Sequence, residues 1–349
     1  MKVLVTGGVG FIGSHVAEYY AEKGYEVVLY DNLARAKLFN LPPQAMTYNW
    51  EYLKRRFEDR VKLVEADVRD YEALLREVKG SSLVVHAAAQ VAVTTSLVDP
   101  KLDFEVNVLG TFNVLEAARI AEPSPTIVYC STNKVYGDNV NKIPVAVKDK
   151  RYVYADERFR HGIPEDYPVD LCEHTPYGCS KLAADLYVQD YAHVYGLRTG
   201  VFRMSCIYGE RQMGAEDQGW VAWFVIAALT GKTITIYGDG KQVRDVLYVK
   251  DLIEAYDMFF NSKLKHEVFN IGGGPENTLS LLELLDLLKG MLSRDIDVKF
   301  SDWRPGDQRV YISDIRRLNE RLGWRPKVKP KEGVAKLLSW ASANKHLFK

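Results

Sequence analysis

The stretch MKVLVTGGVGFIGSHVAEYYAEKGYEVVLYD, residues 1–31, decides the fold. Val3 to Thr6 is a short apolar run with a β-branched majority, the composition of a buried strand. It runs into Gly7, Gly8, Gly10 and Gly13, and a helical pattern then extends from Phe11 to Lys23 and stops at Gly24. Glu26 to Tyr30 reads as a second strand, ending in Asp31. A glycine turn of this kind lets backbone N–H groups approach a pyrophosphate, and the helix N-terminus behind it favours the negative charge. A carboxylate closing the second strand suits the two ribose hydroxyls of NAD and repels the 2′-phosphate of NADP. The glycine pattern alone is weak, but between a strand and a helix, with this acid following, it specifies a dinucleotide. Arg35 is the nearby cation that could screen the acid.

Composition narrows the rest. At 349 residues, 47% hydrophobic and 26% charged, the chain is globular in type, with one large domain or two modest ones. Forty-six basic residues balance 46 acidic ones, so nothing draws the whole molecule to nucleic acid. No apolar run spans a bilayer, and the amino terminus enters a core strand directly, so a cytoplasmic protein without a membrane partner is expected. Cys130, Cys172, Cys179 and Cys206 show no CxxC spacing, which predicts reduced thiols and no metal cluster.

Working outward, Val61 to Glu65 is the third strand, followed by Asp67 and Val68, where an acid beside an apolar residue could hold an adenine edge. Capping the helix Tyr71 to Val78 is an equally good role for Asp70 and a weaker one for Asp67. Leu83 to His86 is the fourth strand, and the small Ala87, Ala88 and Ala89 after it leave room for a flat cofactor or for close helix packing. Phe104 to Ala118 reads as one helix carrying Asn107, either a satisfied core amide or a support for the site. Thr126 to Cys130 is the fifth strand and delivers Ser131, Thr132, Asn133 and Lys134 at the sheet edge where ligands sit. The excursion from Asp138 to Glu173 is long for a structureless loop, which suggests a lid or substrate wall. Leu197 to Ser205 and Glu267 to Ile271 complete the strand pattern, and Trp303 to Arg309 is a guanidinium-rich loop.

Tyr177 and Lys181 stand at i and i+4 of the next helix and share a face. A phenol near its reference pKa of about 10 is only about one part in a thousand ionised at neutral pH. An ammonium one turn away and a cationic nicotinamide ring both favour the phenolate, and lowering the pKa by about three units, roughly 4 kcal/mol, leaves a competent base.

Together, residues 6–13, Ser131-Thr132, Tyr177-x-x-x-Lys181 and Phe202-Arg203 resemble the extended short-chain dehydrogenase/reductases that act on nucleotide sugars. The segments 131–138, 175–181, 217–224, 240–247 and 307–310 are most similar to the members that epimerise CDP-sugars at C2. The resemblance implies a Rossmann-type doubly wound parallel α/β sheet and a smaller α/β substrate domain built from returning segments. Residues 1–205, with 246–274 returning, would form the NAD domain, and 206–245 with 275–349 the nucleotide-sugar domain. It also implies the roles. Thr132 bonds the sugar hydroxyl or ketone, Tyr177 is the base, and Lys181 holds the nicotinamide ribose with support from Asn107. Gly7, Val9, Gly10, Phe11, Ile12, Gly13, Asp31, Asn32, Asp67, Val68 and Ala87 line the NAD site. Arg244, Arg304 and Asp307 hold the diphosphate and ribose of a nucleotide sugar, a CDP-sugar being favoured, with Gln218, Gly219 and Trp220 close to the same phosphates. A homodimer or homotetramer is expected.

Two departures bear on the chemistry. Asn133 and Lys134 replace the two acids of the family's 4,6-dehydratases, which argues against dehydration, and Cys206 replaces an asparagine amide that a thiol cannot imitate. A UDP-hexose 4-epimerase and, more remotely, an NAD-binding regulator without turnover are the alternatives.

Overall fold

Fully buried runs from Val3 to Val5 and Leu83 to Val85 pair as parallel strands, which explains why neither alternates with polar residues. The computed structural model describes residues 1–34 and 42–348, the side chains of Pro43 and Met46 excepted. Seven strands lie side by side in the order His266–Ile271, Thr199–Met204, Thr126–Thr132, Ser81–His86, Lys2–Thr6, Glu26–Asp31 and Val61–Glu65. Sequence order reverses between Lys2–Thr6 and Ser81–His86. The carboxyl ends of those two strands therefore open a crevice at the switch point, where open α/β sheets take ligands. This is the expected Rossmann-type sheet.

Most element ends fall within two residues of the sequence reading, and the differences are local. The fifth strand runs to Thr132, so this hydroxyl sits on the strand itself. The helix expected over Phe104 to Ala118 is three pieces: Pro100–Phe104, a π-helical turn at Glu105–Leu109 and Gly110–Ile120. Asp70, not Asp67, caps Tyr71–Val78 by accepting from the Ala73 N–H at 3.0 Å. Val114, Leu115 and Ala118 of the helix Gly110–Ile120 and Ala184 and Val188 of Pro176–Tyr195 pack with Leu4, Val84 and Ile127 of the sheet.

The chain divides into two units. The first comprises Met1–Thr132, Pro176–Arg203 and Ile253–Phe269, and the second Asn133–Thr175, Met204–Leu252 and Asn270–Lys349. The sequence reading had kept 133–175 with the first unit. The segment goes with the second because its hairpin, Val145–Lys148 with Arg151–Tyr154, is tied to second-unit elements. Tyr152 N–H donates to Lys241 O at 2.9 Å, and the Arg151 guanidinium forks onto Glu283. Likewise 246–252 stays in the second unit rather than returning to the first.

In the second unit, Val243–Tyr248 pairs with Cys206–Tyr208, Thr278–Ser280 and Val310–Tyr311. The helix Leu281–Leu292 starts at a capping box formed by Ser280 and Glu283. The apolar helix Trp220–Thr230 is buried among Leu284, Leu288, Val334 and Leu337. No helix among the described residues is long and apolar enough to cross a membrane.

Candidate active site

The glycine turn has a shape that side chains would fill. Gly7 has φ +66°, and a Cβ there would lie 2.8 Å from Ala88 N. A Cβ on Gly13 would lie 2.2 Å from Gly7 O, so the turn closes only with glycine at both positions. Gly10 begins the helix Phe11–Glu22 without a side-chain cap, which leaves the first-turn N–H groups of Phe11, Ile12 and Gly13 for an external anion. Val9 O accepts from buried Asn49, and Val9 N–H donates to Asp31 Oδ2 at 3.0 Å. Asp31 Oδ1 accepts from Leu33 N–H at 2.8 Å, so the acid is fixed at the mouth of the turn. An open glycine cradle, an uncapped helix start and a fixed acid together fit a dinucleotide. Arg35 lies outside the described residues.

The neighbouring strands differ in one respect from expectation. Val68 is buried and Ala87 N–H donates to Thr6 O. The Asp67 carboxylate already accepts four hydrogen bonds, three from Arg69 and one from Asn32 Nδ2 at 2.7 Å. Burial would raise Asp67, but these bonds outweigh it and hold the carboxyl below its usual range. With its four lone-pair sites taken, the carboxylate meets an adenine edge only by displacing Arg69 or Asn32.

Thr132, Tyr177 and Lys181 come together in the first unit. Tyr177 opens the helix Pro176–Tyr195, its N–H held by Ser96 Oγ at 3.1 Å, and Thr132 hydrogen-bonds its phenol. Lys181 is buried, donates to Cys130 O at 2.8 Å and stands 4.2 Å from the centre of the Tyr129 ring. Burial pushes Lys181 down to about 8 and Tyr177 up to about 12. The expected lowering of the phenol by Lys181 is therefore not what the structure gives. The ammonium is turned onto a carbonyl and a ring, and Thr132 is the group that favours the phenolate. Beneath them His86 lies between Thr6 and Thr111 hydroxyls, and burial, then the charge of Lys181, push it down to about 3, so the imidazole is neutral.

Asn107 sits in the π-helical turn, a feature that recurs at functional sites. Its Nδ2 donates to Gln90 O, Asp103 Oδ1 and Ser180 Oγ, and its Oδ1 accepts from Gln90 N–H at 2.9 Å. It thus fixes Ser180, the residue before Lys181. Asp103, buried and raised by desolvation, and Gln90 belong to the same network and were missed in the sequence reading. The i, i+4 spacing of Asp103 and Asn107 was the available signal. Asp185, also missed, is fully buried and binds Ser131 Oγ at 2.6 Å and Arg203 Nε at 3.0 Å.

The second unit gathers the other expected group. Arg244 pairs with Asp307 at 2.7 Å, and Arg304 pairs with Asp217 at 2.9 Å while stacking 3.8 Å from the Tyr237 ring centre. Gln218 and Ala215 exchange backbone hydrogen bonds, Gly219 has φ +80° at the start of Trp220–Thr230, and Trp220 Nε1 donates to Cys206 Sγ at 3.2 Å. A cavity of about 580 Å³ opens between 140–145 and the loop carrying Trp303, Arg304 and Arg309. All four cysteines are free thiols, and no group of three acids, histidines or cysteines among the described residues is placed for a metal ion.

A family model described as the NAD dependent epimerase/dehydratase family matches residues 3–272. The chain belongs to this family. NAD dependent epimerase/dehydratase membership bears out the resemblance read from the motifs and makes NAD the cofactor. The chain is 41% identical to the CDP-paratose 2-epimerase of Salmonella typhi, over 98% of this chain and 100% of that protein. It is 32% identical to the UDP-glucose 4-epimerase of Mycolicibacterium smegmatis, over 97% and 98%. The crystal structure of Thermotoga maritima UDP-glucose 4-epimerase with UDP-glucose superposes with a TM-score of 0.80 at 31% identity, covering 99% of this chain and 100% of that one.

Proposed function

We propose that this epimerase-family chain inverts C2 of a CDP-sugar, of the CDP-paratose to CDP-tyvelose type, through a transient 2-keto sugar. The 41% identity over the whole length to a CDP-paratose 2-epimerase carries the reading. When bound, NAD supplies a reversible hydride acceptor and a positive charge that favours the Tyr177 phenolate. The glycine cradle, Asp31 and Lys181 would hold it. Tyr177 takes the C2 hydroxyl proton and later returns one, while Thr132 bonds the oxygen as hydroxyl and as ketone. Lys181, fixed by Cys130 O and backed by the Asn107 network, keeps a positive charge under the site below pH 8. Arg244, Arg304 and Asp307 anchor the nucleotide, so that only the sugar turns between the two half-reactions.

The same three catalytic groups would serve a UDP-hexose 4-epimerase, the reading favoured by the Thermotoga maritima structure. Offering CDP-paratose and UDP-glucose separately and following the products by NMR separates the two. Inversion at C2 of the CDP-sugar is expected; C4 inversion of UDP-glucose alone would replace the reading, and no product from either would favour a regulator.

Asp31 gives a cofactor prediction. NADP should bind more than about tenfold weaker than NAD, since about 1.4 kcal/mol of unpaired like charge already costs a decade. Equal affinities in a direct titration would mean that another residue, Arg35 first, screens the acid.

A homodimer or homotetramer is part of the proposal. Leu97, Phe104, Leu109, Phe112, Leu186 and Val194, on helices near Asn107 and Tyr177, are large apolar side chains left exposed on one protomer. The free thiols suit the cytoplasm.

A further inference from the structure

Lys134 is used by none of the roles above. It follows the end of the fifth strand, half-buried, and its Nζ donates to Gly306 O at 2.9 Å within the loop that bears Arg304 and Asp307. Three side chains from other elements bear on it: Arg244 of Val243–Tyr248, Asp307 of the loop, and Cys206 of Cys206–Tyr208. His174 Nδ1 lies 3.4 Å from its carbonyl oxygen. Arg244 already shares Asp307 through a 2.7 Å ion pair, and its repulsion of the Lys134 ammonium exceeds the attraction from that carboxylate. Lys134, held at Gly306 O, and Arg244, held at the adjacent Asp307, thus present two cations to the same partly dehydrated place, where an anion would meet both. Cys206 offers no strong donor there, and its Sγ accepts from Trp220.

We propose that Lys134 is a substrate-binding residue, a cation that joins Arg244 in holding the diphosphate of the nucleotide sugar and supplies the donor that Cys206 cannot. The inference rests on the nucleotide-sugar reading above. In the protein alone burial, then Arg244, push the ammonium down to about 8. A diphosphate alongside favours the charged form, so binding draws a proton onto Lys134 and weakens as pH rises above 8. Burial pushes the Cys206 thiol up, away from ionisation.

The test is calorimetric titration of the NAD-loaded protein with CDP-glucose, UDP-glucose and cytidine at pH 7 and pH 9. Wild type should bind the sugar nucleotides roughly tenfold more weakly at pH 9, the change in protonated fraction of a group near 8. K134R should keep its pH 7 affinity at pH 9, and K134M should lose at least about tenfold at pH 7 and show no further pH effect. Cytidine, which lacks the diphosphate, should bind all three proteins alike at both pH values. Undiminished CDP-glucose binding by K134M, a flat wild-type profile, or an equal loss for cytidine would overturn the role of Lys134. Wild type that binds neither sugar nucleotide while retaining NAD would overturn the substrate reading itself.

Discussion

Tyr177→Phe should still bind NAD and substrate yet lose two to four decades of turnover, the range expected when a positioned acid–base group is removed. The substitution keeps the ring and deletes only the hydroxyl, so the helix start, held through Tyr177 N–H by Ser96, is undisturbed. The loss should be large because burial holds this phenol up near 12 and Thr132 only partly opposes it. Ionising it at neutral pH therefore depends on the fully assembled site. Turnover should also climb with pH through the range in which the phenolate is the minor form, because the deprotonated form is the base. Retention of more than about a tenth of the wild-type rate would remove Tyr177 from the chemistry.

The largest stability effect should come from Asp185→Ala. The carboxylate is fully buried and accepts from Ser131 Oγ, Gln189 Nε2 and two nitrogens of Arg203. Arg203 is itself buried, so deleting the acid removes the carboxylate that balances its guanidinium away from water. Breaking a buried pair from one side typically costs about 3–5 kcal/mol, a large share of the roughly 5–15 kcal/mol that holds a domain folded. Ser131 would lose its acceptor one residue from Thr132, so surviving protein should also turn over slowly. Urea unfolding with NAD held constant measures this; a loss under about 1 kcal/mol would show that Arg203 finds another partner.

How much of this was legible in the sequence depends on how local each signal is. The glycine cradle could be read because strand, turn, helix and acid occupy one continuous stretch of 31 residues, and each glycine has a steric reason to be there. Tyr177 and Lys181 were legible because one helical turn puts them on the same face. What escaped was non-local. Asn107 meets Ser180 across 73 positions and Ser131 meets Asp185 across 54, and no periodicity encodes such pairings. The π-helical turn at Glu105–Leu109 left the apolar pattern continuous enough to read as one helix. The partition of 133–175 was hidden because Tyr154 bonds Val310 O, 156 positions later. The lysine's effect on the phenol escaped for a related reason: spacing placed Lys181 near it but could not show that its Nζ faces Cys130 O.

On the proposed route C2 is inverted through oxidation of its own hydroxyl. In the proposed roles Thr132, Tyr177 and Lys181 manage an O–H proton, and the hydrogen on carbon should return to that carbon without meeting solvent. The alternative, removal of C2–H as a proton, requires an adjacent carbonyl to stabilise the anion, and paratose, a 3,6-dideoxyhexose, carries only a methylene at C3 and the glycosidic carbon at C1. Epimerisation of CDP-paratose deuterated at C2, run in ordinary water and followed by mass spectrometry and NMR, decides between them, with the mirror experiment in deuterated water. The product should keep its label at C2 in the first case and gain none in the second. Solvent deuterium entering C2 at the rate of turnover would contradict the proposed route.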